Sequence, residues 1–505
     1  MKSTGSAWCF FNLENILFGL FLQAMPQDTY EIVIGLEVHA QLSTQSKIFC
    51  GDDASFGAAP NSHISPVSLG HPGTLPALNE TAIEYAVKLG IALDCNINRS
   101  NYFARKNYFY PDLPKGYQVT QHTEPICKNG FLIIDSADGE KKIRLNRIHL
   151  EEDAGKSLHD EDPLFTCIDL NRAGVPLVEI VTEPDLSSAE EAYHFLTELR
   201  KILRWLNVCD GNMEEGSMRC DANVSIRIRG EKKLGTRVEV KNLNSIRNVK
   251  RAIEVEESRL ITLTDSKELI LQQTRSYDAE NNVTFLLRTK EEADDYRYFP
   301  EPDLPPVKIN ENDVSQIQST IPILPRALKE KYVNNFLLSE YDARSLVSDK
   351  ETADYFEQLS QLSPDYKTWA NLLTGAIKSY CIEQKISLSE FPVKTQQLHE
   401  LVQMIKKGSV SYNNASSKVL QELISAPGKS ALAAAEELNL IQVSNDSEIE
   451  NWVDAALASM PDKVEEFKKG KKGLQGLFAG AVKKLSKGQA DMASVNKILL
   501  EKLNQ

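Results

Sequence analysis

The sequence lacks most of the motifs that would assign a chemistry at a glance. Its eight cysteines (Cys9, Cys50, Cys95, Cys127, Cys167, Cys209, Cys220, Cys381) stand singly, with no C-x-x-C pair for zinc, and read as reduced thiols in a cytosol-like compartment. There is no G-x-x-x-x-G-K-[ST] loop and no G-x-G-x-x-G turn, so neither the phosphate-cradling loop nor the dinucleotide fingerprint is available. A G-x-S-x-G nucleophile elbow is also missing. Any nucleotide here must be held by carboxylate-bound Mg²⁺ with Arg and Lys beside it. Excess positive charge is absent too: the net charge of −14 argues against a surface that binds nucleic acid throughout, while leaving room for a local basic patch.

Targeting signals are equally thin. The run WCFFNLENILFGLFLQA is apolar, but Asn12, Glu14 and Asn15 interrupt it, and it is too short and too polar to span a membrane. Residues 1–29 contain no Arg, unlike a mitochondrial transit peptide, and Lys2 is their one basic residue. They are expected to be an extension outside the mature protein, with Met25 as an internal start and a cytoplasmic location. The alternative is a targeting segment for the mitochondrial matrix.

What the chain does carry begins at Tyr30–Leu42, YEIVIGLEVHAQL. Alternation puts Ile32, Ile34, Leu36, Val38, Ala40 and Leu42 on the dry face of a predicted strand, and Glu31, Val33, Gly35, Glu37, His39 and Gln41 on the polar face. A Glu and a His two residues apart leave the sheet together, which suits a shared hard divalent cation or a shared proton. A solvated sheet face would give the same pattern in one strand, but the design recurs. In MEEGSMRCDANVSIRIRG, Arg219, Asp221, Asn223, Ser225 and Arg227 alternate with apolar residues, as do Arg237, Glu239 and Lys241 in TRVEVKN. VPLVEIV holds Glu179 in an apolar strand, where it must be protonated or paired with a cation. RIHLEEDAGK adds Glu151, Glu152 and Asp153 where a strand enters a Gly turn. Carboxylates at this density would repel one another without cations, so a metal-containing site is expected.

The length suggests about three domains. Residues 30–305 read as one α+β domain of strands with three capped helices: from Asn79 to Leu93, from Ser187–Ser188 to Leu206, and from Asn244 or Ser245 to Leu260. The stretch KNYFYPDLPKGYQVTQ reads as an aromatic loop around a Pro–Lys–Gly turn. Pro300, Pro302, Pro305 and Pro306 close this domain, and the pattern then turns helical, giving a connector over 306–440 and a tail over 441–505. The tail is locally basic, with Lys468, Lys469, Lys471, Lys472, Lys483, Lys484 and Lys487 around several glycines. That is either a solvated face or a seat for an RNA backbone.

At this point the motifs resemble one family, the B subunits of the glutamyl- and aspartyl-tRNA amidotransferases. The resemblance rests on IGLEVHAQL, KNYFYPDLPKGYQ, LEEDAGK, DLNRAGVPLVEIVTEPD, MEEGSMRCDANVSIR, VEVKNLNS, DDYRYFPEPDLPP and FKKGKKGLQGLFAGAVKK, and runs from about residue 30 to the end. It implies a largely antiparallel, glutamine-synthetase-like cradle acting as a kinase domain, then an all-α domain and a small helical tail that holds tRNA. The implied reaction uses ATP and Mg²⁺ to convert the side-chain carboxylate of misacylated Glu-tRNA(Gln) or Asp-tRNA(Asn) into an acyl phosphate, which ammonia displaces.

Carried over position by position, the resemblance makes Glu37, His39, Glu152 and Glu179 metal ligands, with Glu37 and Glu152 bridging two ions. Glu214, Glu215, Asp221 and Asn242 would position the nucleotide, Arg219 and Lys241 would meet phosphate or the aminoacyl end, and Glu151 and Asp153 would only brace a turn. No glutaminase nucleophile is recognisable, so ammonia is expected from a separate amidase A subunit, with a small C subunit completing a heterotrimer. Two other readings use the same residues: a free-standing ligase acting on a small carboxylate, and a catalytically silent RNA-binding scaffold.

Overall fold

The protein is described by a computed structural model covering residues 29–289, 296–442, 446–486 and 488–503. The extension over 1–28, Lys487 and the two aspartates that open DDYRYFPEPDLPP lie outside the described residues. The chain divides into two compact units, one ending at Leu324 and one running from Pro325.

The first unit is a large, mostly antiparallel sheet with helices on its dry face. Ten strands form its main path: β1 (Tyr30–Gln41), β2 (Ala104–Asn107), β3 (Tyr117–Thr120), β4 (Gly139–Glu152), β5 (Pro176–Thr182), β6 (Met218–Ile228), β7 (Val238–Leu243), β8 (Gln273–Asp278), β9 (Val283–Thr289) and β10 (Phe299–Pro300). Their order across the sheet is β9-β8-β7-β6-β1-β5-β4-β3-β2-β10, so the strand that opens the described chain lies in the middle. β7 and β8 run parallel; every other pair on the path is antiparallel. The segment read as an aromatic loop is in fact a hairpin, because β2 and β3 pair from Ala104–Thr120 to Asn107–Tyr117 around the Pro–Lys–Gly turn.

Central placement explains the two-faced sequence of β1. Ile34, Leu36, Val38 and Ala40 are all at most 1% exposed and join the core with the matching faces of β5 and β6. Three helices cover that core: α1 (Glu80–Ala92), α2 (Ala189–Trp205) and α3 (Ile246–Asp265). α3 is the crossover between the parallel strands β7 and β8, the connection that parallel pairing requires. Asn79 and Ser245 cap α1 and α3 through Thr81 N and Asn248 N. α3 runs five residues past the expected end at Leu260, and residues expected to open the connector also stay with the first unit. The helix Glu311–Ser319 packs its Val314 and Ile317 against this same core.

The second unit is all helical, and within it residues from Ile449 to Leu503 close their own core around Val453, Phe467, Phe478 and Leu499. No helix among the described residues is long and apolar enough to cross a membrane.

The start of α2 ties a sequence signal to an energy. Ser188 Oγ accepts from Glu191 N at 3.1 Å, while the buried Glu191 carboxylate takes Ser187 N, Ser136 Oγ and Lys141 Nζ at 2.7 to 2.9 Å. Burial pushes this carboxyl up, but Lys141 and the hydroxyl and amide donors outweigh it and hold it below the usual carboxylate range. Glu191→Gln is expected to cost about 1–3 kcal/mol at neutral pH. Because the folded value is depressed, that contribution is complete above the unfolded pKa and fades as pH falls below it. Urea midpoints of wild type and variant should therefore converge below about pH 4; a difference independent of pH would contradict the assignment.

Candidate active site on the polar face

The strand register gathers the polar residues. His39 faces Glu179 on β5 and Arg219 on β6; Glu37 faces Val181 and Asp221; and Glu179 in turn faces His149 on β4. Four strands thus deliver carboxylates and imidazoles to the centre of one sheet face. His39 Nε2 lies 3.3 Å from Glu179 Oε2, His149 Nε2 lies 3.6 Å from the same oxygen, and His149 Nε2 lies 3.0 Å from Glu151 Oε1. Two triads result, Glu37–His39–Glu179 and His149–Glu151–Glu179, each with donor atoms within 4.8 Å of one another. They share Glu179.

Their electrostatics are those of a site short of positive charge. Burial, then the neighbouring Glu179, pushes the Glu37 carboxyl up to about 7. Burial alone would lower His39, yet Glu179, Glu151 and Asp221 raise it to about 9. Burial also opposes the charged form of Glu179, but His149, His39 and Lys106 outweigh it and hold this carboxyl well below the usual range. The donor set, mainly hard carboxylate oxygens with imidazole nitrogen, fits a divalent cation such as Mg²⁺ or Mn²⁺.

The sequence-predicted residues do not all meet at one place. Glu37, His39 and Glu179 meet in the triads, with Asp221 beside them accepting from Lys241 Nζ. Lys241 also lies 3.1 Å from Glu239. Arg219 donates to the buried Asp153 at 2.8 Å.

Glu152, expected as a metal ligand, does not join the triads. It lies one residue out of phase with the triads; both its oxygens sit 2.5 Å from Lys115 Nζ, and one accepts from Val119 N. It lines a separate cavity of about 220 Å³ with Lys47, Lys115 and Glu301, while Glu151, expected only to brace a turn, joins His149. Glu214 and Glu215 are exposed on the turn before β6, away from the positions facing Glu37 and His39.

Asn242 occupies a β-bulge. Cys220 pairs with Leu243 and Ala222 with Val240, leaving Lys241 and Asn242 opposite the single residue Asp221. Asn242 takes the left-handed conformation this needs (φ 61°) and donates to Ser276 Oγ at 2.7 Å. It shapes the strand that carries Lys241.

Sequence reasoning missed His149 and Lys106. The alternation in RIHLEEDAGK aligns Arg147, His149 and Glu151 on one face and would have found the first. Lys106 was hidden in a segment read as loop; on β2 it faces Glu151 and Glu179 and helps line a cavity of about 730 Å³ with Tyr108, Tyr110, Lys241, Arg288 and Tyr296. In the tail, Lys468, Lys469, Lys471, Lys472, Lys483 and Lys484 are all exposed, although Lys469 pairs with Glu465 and Lys471 with Glu466.

A sheet whose polar face gathers carboxylates, imidazoles and lysines has the donor set of an enzyme site that could hold cations. Comparison with known proteins narrows it. Residues 32–315 match the GatB/GatE catalytic domain, and residues 354–503 match the GatB domain. The B subunit of the aspartyl/glutamyl-tRNA(Asn/Gln) amidotransferase from Nitratidesulfovibrio vulgaris is 48% identical over 475 residues, 94% of this chain and 99% of the relative. The proteins of that name from Myxococcus xanthus and Clostridium tetani are 47% and 45% identical, over 95% and 94% of this chain and 100% and 99% of their own lengths. The chain belongs to the GatB/GatE family of amidotransferase B subunits.

Phase along β4 gives a direct check. Glu151→Gln is expected to weaken Mn²⁺ binding about tenfold or more, whereas Glu152→Gln leaves it within about twofold. Calorimetric titration decides; the reverse order would return Glu152 to the metal.

Proposed function

We propose that this chain is the activating component of a tRNA-dependent amidotransferase: it phosphorylates the side-chain carboxylate of Glu-tRNA(Gln), Asp-tRNA(Asn) or both, and directs ammonia onto the product. The observation that carries the reading is the pair of triads sharing Glu179, flanked by Lys106, Lys241 and Arg219. A carboxylate is a poor electrophile because oxide is a poor leaving group. Its oxygen attacks the γ-phosphorus of ATP, ADP departs, and the resulting acyl phosphate loses inorganic phosphate when ammonia attacks the carbonyl carbon and then sheds a proton.

Such a transfer needs positioning and charge neutralisation more than covalent help. Glu37, His39, Glu151, His149 and Glu179 would hold Mg²⁺, which supplies charge neutralisation of the transferring phosphoryl group. Lys241, fixed between Asp221 and Glu239, and Lys106, among the tyrosines, provide fixed positive charge at the rim. Arg219, held by Asp153, keeps part of its guanidinium toward solvent, where the aminoacyl end can reach it.

The sheet would form a glutamine-synthetase-like cradle within a three-part chain, with the kinase domain followed by a connector and a tail whose exposed lysines track the tRNA backbone. Ammonia would come from an amidase A subunit, with a small C subunit completing a cytoplasmic heterotrimer. The test uses the chain assembled with those partners, ATP, Mg²⁺ and misacylated tRNA. Glu37→Gln and His39→Ala are each expected to lower amidation about 100-fold or more while tRNA binding survives. Amidation of free glutamate would instead favour the small-carboxylate ligase, and activity indifferent to both substitutions would favour the silent scaffold.

A further inference from the structure

Lys106 differs from the cations around it. Arg219 donates to Asp153, Lys241 to Asp221 and Lys115 to Glu152, whereas the half-buried Lys106 has no hydrogen bond or ion pair among the described residues. Burial works against its charge, and Glu151 and Glu179 outweigh that.

What surrounds the ammonium is aromatic. Lys106 Nζ lies 5.0 Å from the centre of the Tyr296 ring and 5.9 Å from that of Tyr108. These two rings meet edge to face at 6.1 Å, and each is braced by another, Tyr108 by Tyr110 at 6.1 Å and Tyr296 by Tyr298 at 6.0 Å. An aromatic face attracts a cation through its quadrupole and leaves the N–H donors largely unspent. All three donors of Lys106 therefore remain for a ligand in the cavity of about 730 Å³ that it lines with Tyr108 and Tyr296.

Tyr296 is distant from Lys106 in sequence, and the neighbours of Lys106 fix it in place. Arg105 donates to both carboxylate oxygens of Glu301 at 2.7 and 2.8 Å, while Phe299 and Pro300 pair with Arg105 and Ala104. Asn107 holds the other end. Its backbone N donates to Tyr296 O at 3.0 Å and its Nδ2 to Arg297 O at 2.8 Å. Between these holds Arg297 takes the left-handed conformation (φ 46°), which a residue with a Cβ seldom adopts unless its surroundings impose it. Residues 105 and 107 thus pin the strap over 296–301, and residue 106 meets the ring that the strap carries.

We propose that Tyr108 and Tyr296 are positioning residues, whose ring faces hold the Lys106 ammonium against the cavity with its donors free for the anionic oxygens of the substrate. The proposal rests on the phosphoryl-transfer reading above and adds what keeps one of its cations in place.

The experiment measures amidation and ADP release by the complex with its partner proteins, recording kcat and the KM for misacylated tRNA. It compares wild type, Tyr296→Leu, Tyr108→Leu, Tyr296→Phe, Lys106→Met, and each Leu variant combined with Lys106→Met. Each Leu variant is expected to lower kcat about threefold to tenfold, the loss of one partly desolvated contact between cation and ring, with KM within about twofold. Tyr296→Phe, which keeps the ring, is expected to restore kcat to within about twofold of wild type. Lys106→Met is expected to lower kcat about tenfold or more, and in that background the Leu substitutions should change nothing further. Tyr108→Leu keeps the test valid should Tyr296→Leu fail to fold. Leu variants that match wild type, or that cost as much without Lys106 as with it, would overturn the inference, as would a Lys106→Met variant of wild-type rate or a Phe variant as slow as its Leu counterpart. A wild-type complex that releases no ADP would instead defeat the phosphoryl-transfer reading itself, and this inference with it.

Discussion

Like charges crowded onto one sheet face are the constraint on which the rest of this structure depends. Glu37, Glu151, Glu179 and Asp221 are carried on four strands that backbone hydrogen bonding holds side by side, so they cannot drift apart to relieve their repulsion. Without an added ion the protein offsets it with what it has: His39 binds its proton more tightly, Glu37 takes one up near neutrality, and Lys106 and Lys241 lean in. That a histidine and a carboxyl are raised together marks a cluster short of positive charge.

The dry face makes this tolerable. A central strand with Ile34, Leu36, Val38 and Ala40 sealed under α2 and α3 is anchored by burial on one side, which leaves its other side free to carry charge that adds nothing to stability. The departures from regular pairing fall where the polar face needs shaping. The bulge at Asn242 sets Lys241 against Asp221, and β5 shifts its register against β4 between Val181 and Thr182. Bulges beside active sites commonly re-aim side chains in this way.

What was legible in the sequence was local. Period-two alternation marked β1 and β6, an apolar run holding one carboxylate marked β5, and the serine and asparagine caps marked the helices; these signals put Glu37 and His39 on a polar face and left Glu179 in need of a partner. What was not legible depends on pairing between distant segments. Glu151 and Glu152 are adjacent, and only the register of β4 against β5 decides which one meets Glu179. The β2–β3 hairpin was disguised by Pro and Gly in its turn, so Lys106 went unnoticed, and a bulge of one residue leaves no mark in alternation. Similarly, residues 311–319 carry a helical signal that says nothing about which core they join, and they join the first.

Glu179 is shared by both triads, and it is the position at which the account is most exposed. The direct measurement is tRNA-dependent ADP release and amide formation by the assembled complex, with ATP, Mg²⁺ and ammonium, comparing wild type with Glu179→Gln alongside a tRNA-binding assay. Both products are expected to disappear together while tRNA is bound as before. Wild-type rates from the variant would mean that the carboxylate cluster is structural and that phosphoryl transfer takes place elsewhere.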